Sequence, residues 1–167
     1  MKALQITDIK DFTNKLFIGN IFDNFLLNQA SITSFATFSI DGRLQYDFFD
    51  TAEQELLRSS ARKFALWKEI KPQCFSVIRG KRAPLHFKII LQTSAKTAAS
   101  LLQKNGIEPS ENDIPAFFLN IQYKNKTLLC TTGYSSNQFF PGNRPLYLWD
   151  EAVTGFLRHH QIPFDEI

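Results

Sequence analysis

Cys74 and His86 are the only cysteine and histidine that lie near one another in this chain, and the chemistry such a pair could do is thiolate attack, with the imidazole taking the thiol proton. That chemistry needs contact at about 3 Å. The residues between them predict two strands, over 74–79 and 85–92, joined by a loop over 80–84. Pairing Arg79 with Leu85 sets Cys74 opposite Ile90, four positions from His86, or roughly 13 Å at about 3.3 Å per residue. The dyad is therefore set aside. His159 and His160 close a predicted last helix, where packing against the apolar stripe and a favourable C-terminal charge explain them better than metal ligation. Asp41, Asp47 and Asp50 could approach a divalent ion, but a turn residue, a strand-face charge and a helix cap account for them more simply. Neither GxSxG, HExxH, a Walker loop, GxGxxG nor CxxC occurs. The sequence thus nominates no catalytic residue, no metal ligand and no cofactor.

The remaining chemistry is electrostatic. Residues 58–88 hold nine of the nineteen Lys and Arg residues against a single acid, Glu69. This segment carries +8 while the whole chain carries +3, so the remainder is −5. A division of charge this sharp points to an anionic partner. Arg79, Lys81 and Arg82 fall within four residues at the predicted loop, with Lys88 and Lys71 beside them, and arginine forks make bidentate bonds to phosphate or carboxylate. The candidate binding residues are these five, and the candidate partners are nucleic acid or an acidic protein surface. Keeping a sheet edge soluble is the plainer reading of the same charges. A small enzyme with an unrecognised site is the alternative class.

The elements that must position these residues follow in chain order. MKALQIT reads as a strand, and Asp8 caps a helix with Ile9, Phe12 and Leu16 on one face that Gly19 closes. Residues 22–49 are strand-like, and parity around Asp41-Gly42 favours a bulged hairpin that pairs Phe38 with Leu44 and Ala36 with Tyr46, with Gly42 left-handed. Asp50 and Glu53 form a capping box for the longest predicted helix, which runs to Lys71 and is stopped by Pro72. After the strand over 85–92, Ser94 caps an Ala/Leu helix that Asn105-Gly106 ends. Phe117, Leu119, Ile121 and Tyr123 alternate in a strand, residues 124–126 turn, and 127–134 return as another. Trp149, Ala152 or Val153, Phe156 and His160 mark the last amphipathic helix.

The expected fold is α+β: a largely antiparallel sheet with about four helices, in one domain over 1–167 built from two pseudo-repeats, 1–80 and 85–167, each strand-helix-strands-helix. Seventeen Phe residues predict an aromatic core. The N-terminal MKALQITDIKDF has charge every few residues and reads as neither signal peptide nor membrane anchor, so no membrane partner is expected. Cys74 and Cys130 have no companions at metal spacing and are expected as reduced core thiols in a cytoplasmic protein.

The segments MKALQITDIKDF, IDGRL and WKEIKPQCFSVIRGKRAPLHFKIILQ resemble a small clostridial family catalogued only as a domain of unknown function. The likeness spans nearly the whole chain and implies no activity. A duplicated strand-helix-strands-helix unit is also similar, at the level of fold, to the half-repeat of the TATA-binding protein and to the repeating domain of DNA sliding clamps. No functional residue carries over from either.

Overall fold

The computed structural model describes residues 1–110 and 112–167. Strand β1 (Ala3–Ile6) buries Leu4 and Ile6 and turns Gln5 outward. The Asp8 carboxylate then accepts from the Asp11 amide and opens α1 (Ile9–Phe17), which buries Phe12 and Leu16. Next come β2 (Leu26–Thr33), β3 (Thr37–Asp41), α2 (Thr51–Ser60), α3 (Trp67–Ile78) and β4 (His86–Gln92). Helix α4 (Ala95–Lys104), strands β5 (Ala116–Lys124) and β6 (Thr127–Ser135), helix α5 (Arg144–His159) and the short β7 (Phe164–Glu166) complete the chain.

Among the described residues seven strands pair antiparallel in the order β3-β2-β4-β5-β6-β1-β7. Residues directly opposite one another in such pairs share a face. Ile32, Phe87, Tyr123, Leu128 and Ile6 therefore form one row across the sheet, and Ala30, Ile89, Ile121, Cys130 and Leu4 the next. Helices α1, α3, α4 and α5 bury Phe12, Trp67, Ala98, Leu102, Trp149 and Leu157 in the same cluster as these rows. Part of the Phe content lies there: Phe12, Phe22 and Phe117 have no exposed surface, and burial of each side chain stabilises by about 1.5–3 kcal/mol, while Phe35, Phe48 and Phe139 stay exposed. The other face is polar, with Gln29, His86, Lys88 and Gln122 exposed.

The described residues are thus α+β, with a seven-stranded antiparallel sheet and five α-helices. Where about four helices were expected, the predicted helix over 50–71 proves to be two. Ala61 leaves α2 in the left-handed region at φ 54°, and residues 62–66 lie outside any helix, with Phe64 and Leu66 in isolated β-bridges to Arg43 and Leu26. Their backbone is paired: Leu44 N–H donates to Lys63 O, Ala65 N–H to Gly42 O and Leu27 N–H to Ala65 O. Pro72 does not stop a helix but lies inside α3. The bond it removes is the one to the Lys68 carbonyl, on an exposed residue where water can substitute. Residues 74–78 are helical, so the expected hairpin with 85–92 does not form, and Ile90 pairs with Gln29 and Asn120 rather than Cys74.

The hairpin predicted around Asp41-Gly42 is also replaced. β2 and β3 turn at residues 34–36, where Ser34 N–H donates to Ala36 O, and Phe38 pairs with Ile32. Gly42 is required by close approach instead of by a left-handed φ: a Cβ there would sit 1.8 Å from the Leu27 carbonyl oxygen. The two halves share an order of elements but not a pairing. β4 lies beside β5, whereas β4, β5 and β6 separate β1 from β2.

Candidate functional site

Of the five basic residues nominated from sequence, the structure keeps three together. Arg79 follows α3 directly, with its N–H bonded to the Phe75 carbonyl at 2.8 Å. Gly80 then takes a φ of +154°, which side-chain-bearing residues rarely adopt, and Lys81 and Arg82 follow on the exposed loop. Leu85 N–H donates to the Thr33 carbonyl at 2.8 Å, so the loop ends against the tip of the β2–β3 hairpin. Lys88 projects from β4 on the open face of the sheet, between Ser31 and Gln122, apart from the loop. Lys71 is occupied internally, donating to the Gly19 carbonyl at 2.6 Å and pairing with the Asp23 carboxylate at 2.5 Å.

The rest of the basic segment divides likewise. Arg62 pairs with Glu69 at 2.9 Å, and Arg58 lies over the Tyr46 ring at 5.9 Å. Among the described residues, Arg79, Lys81, Arg82 and Lys88 form no ion pair. Residues 70–107 contain no acid at all, so the loop's positive field is not cancelled along the chain.

Sequence reasoning missed what sits beside the charges. A groove of about 790 Å³ separates the β2–β3 hairpin from the end of α3 and the loop, with Arg79, Lys81 and Arg82 on one wall and Phe35 and Phe38 on the other. Phe35 is 94% exposed, and its ring meets Phe38 edge to face at 5.8 Å. Leu85 adds a further exposed apolar surface at the groove. A signal for this existed in the sequence, since Phe35 stands out of phase with the even-numbered apolar positions around it. A large aromatic on the wrong parity belongs to a turn or a recognition surface.

The nucleophile candidates lie elsewhere and apart. Cys74 is buried on the helix side of the sheet, His86 is exposed on the open side, and the sheet lies between them. Burial pushes the Cys74 thiol up to about 12 and the Cys130 thiol higher still, so neither supplies thiolate near neutral pH. His160 packs against Phe156 at 4.5 Å and beside His159 at 4.9 Å; burial first, then the charges of His159 and Lys15, lower its pKa. Asp41 accepts from the Arg43 amide and Asp50 caps α2, which are the turn and cap roles. Among the described residues no three His, Cys, Asp or Glu gather where they could hold a metal ion, and no helix is long and apolar enough to cross a membrane.

The model of a family described as "Family of unknown function (DUF5721)" matches residues 15–165. No curated protein matches the chain. No solved structure matches it either, so the likeness to the TATA-binding protein and sliding clamps gains no support from that side.

Proposed function

We propose a function for a chain that belongs to the DUF5721 family: it is a non-catalytic module that binds single-stranded nucleic acid in the groove beside the basic loop. The observation that carries this reading is the exposed Phe35–Phe38 pair facing Arg79, Lys81 and Arg82 across one groove. Single strands present alternating demands, a phosphate and then an unpaired base. Proteins that bind them without reading sequence combine a positive groove with aromatic faces for the bases.

In this reading Arg79, Lys81 and Arg82 contact phosphates, while the Phe35 ring offers a stacking face to a base. Lys88 adds a positive charge on the open face of the sheet, apart from the groove, and Lys71 takes no part because Asp23 holds it. An acidic protein partner would use the charges but leave the exposure of Phe35 without a purpose. Duplex DNA would use the phosphates but keep its bases from the rings. Two free, buried cysteines fit a reducing compartment, and the reading places the protein in the cytoplasm.

The test is fluorescence anisotropy with labelled oligothymidylate and a duplex of equal length at about 50 mM salt, where phosphate contacts weigh most. Wild type should bind the single strand more tightly than the duplex, and Arg79→Glu/Lys81→Glu/Arg82→Glu should abolish binding with an unchanged melting temperature. Absence of binding by wild type at this salt would reject the proposal.

A further inference from the structure

The groove opens at one end of the sheet, and a second pair of lysines stands at that same end. Strand pairing sets Thr33, His86, Lys124 and Thr127 side by side across β2, β4, β5 and β6. The β2–β3 tip, the basic loop and the turn at 125–126 therefore follow one another along the sheet end, where three strand spacings separate β2 from β6 by about 14 Å. Leu85 lines the groove, and His86, the next residue, faces the open side, so the groove gives onto this row within one residue.

Lys124 and Lys126 are exposed, and among the described residues neither forms an ion pair. Residues 114–149 hold no acid, so nothing in β5, β6 or their turn offsets the two charges along the chain. The first acid met further along this end is Asp8, which follows β1 on the far side of β6. Solubility does not account for the pair: lysine guards the edges of sheets, whereas β5 is paired on both sides.

The turn supplies an independent observation. Asn125 and Lys126 have φ of 53° and 60°. A two-residue hairpin turn with both φ positive favours Asn followed by Gly, and Lys126 stands where the glycine would. Backbone strain kept at an exposed position points to a side chain with a use.

We propose that Lys124 and Lys126 form a second phosphate site for the single strand held in the groove, which leaves it past Leu85 and His86 and crosses the sheet end to the turn. The inference rests on the reading of the groove as a single-strand site and adds a length requirement, since a strand must outrun the groove to gain these contacts.

Anisotropy titrations with labelled oligothymidylates of about 4 and about 12 nucleotides, within the usual range of site sizes, test it between about 50 and 200 mM salt. For wild type the slope of log affinity against log salt should be steeper for the longer strand by about 1.4, two phosphates at about 0.7 each. Lys124→Gln/Lys126→Gly should bring the longer strand's slope down to that of the shorter. Lys126→Gly alone should weaken the longer strand and raise the urea midpoint, because glycine takes that φ without steric cost. Lys96→Gln/Lys104→Gln, on α4 beyond the other end of β4, removes the same charge and should keep the wild-type slopes. Equal slopes for the two strands on wild type, or a flattening by the α4 variant as large as that by the turn variant, overturns the proposal and leaves the groove reading in place. Wild type that binds neither strand removes both.

Discussion

The Phe35 ring meets Phe38 edge to face at 5.8 Å on a hairpin tip, with Arg79, Lys81 and Arg82 across the same groove. Stacking and phosphate contact respond differently to salt, so the two walls can be tested separately. Phe35→Ala should weaken oligothymidylate binding about tenfold at any salt, as expected for loss of one stacked base. Arg82→Gln should instead flatten the slope of log affinity against log salt by about 0.7, the value for one phosphate on a single strand. Anisotropy titrations between about 50 and 200 mM salt give both quantities. An unchanged affinity for Phe35→Ala would return the groove to an electrostatic surface only.

Gly42 should tolerate no side chain, because a Cβ would stand 1.8 Å from the Leu27 carbonyl oxygen and 2.7 Å from its carbon. Both obstacles are backbone and cannot rotate away. Gly42→Ala must push apart residues 42–44 and 26–27, where Ala65 N–H bonds Gly42 O and Leu27 N–H bonds Ala65 O. We expect a loss of about 3 kcal/mol or more, the scale of overpacking combined with broken backbone bonds. Urea unfolding measures it, and a loss below about 1 kcal/mol would contradict the described approach.

Much of the fold was legible where local chemistry and burial agree. Asp8, Asp50 and Ser94 each cap the helix expected of them, and the alternation of Phe117, Leu119 and Ile121 is the buried face of β5. Residues 61–79 were misread because Pro72 and the run Cys74-Phe75-Ser76-Val77-Ile78 look like a stop followed by a strand. Trp67, Ile70, Cys74 and Val77 nevertheless recur at helical spacing, and all four belong to the core or pack against it. That burial outweighs the cost of one proline whose lost bond faces water. Strand partners were illegible for another reason: alternation specifies a face, not a neighbour, and β4 satisfies it against β2 and β5 as well as against the hairpin expected from sequence. The basic loop survived the misreading because 79–82 are adjacent whichever element precedes them. The aromatic wall did not, since it comes from a hairpin more than forty residues upstream.

Lys71 provides a control for the charge argument. It lies in the basic segment but bonds Asp23 and the Gly19 carbonyl in a mostly buried setting. Lys71→Met should therefore leave oligothymidylate binding unchanged and cost about 1–3 kcal/mol in stability, from a carboxylate and a carbonyl left without their donor. Lys81→Met on the loop should do the reverse. Paired measurements of unfolding and binding on these two variants separate structural from functional charge within eleven residues.

The buried thiols carry the last prediction. Burial raises Cys74 to about 12 from an ordinary 9.0, and raises Cys130 further. Below about pH 9 both thiols are neutral in the folded and the unfolded chain, and they contribute nothing to the pH dependence. Between about pH 9 and 12 the unfolded chain releases these protons while the folded chain retains them, so stability falls as pH rises, by at most about 1.4 kcal/mol per unit for each thiol. At about pH 10.5 the loss should reach roughly 2 kcal/mol per thiol. Lysine and tyrosine side chains also titrate in this range, so the thiol part is the difference in pH slope between wild type and Cys74→Ala/Cys130→Ala, read from urea unfolding at about pH 8 and 10.5. The variant should be less stable at the lower pH, from lost packing, and should lose less on going to the higher. Iodoacetamide at about pH 8 should label neither thiol in the folded protein and both after unfolding. Equal slopes, or labelling of the native protein, would contradict the burial from which the prediction starts.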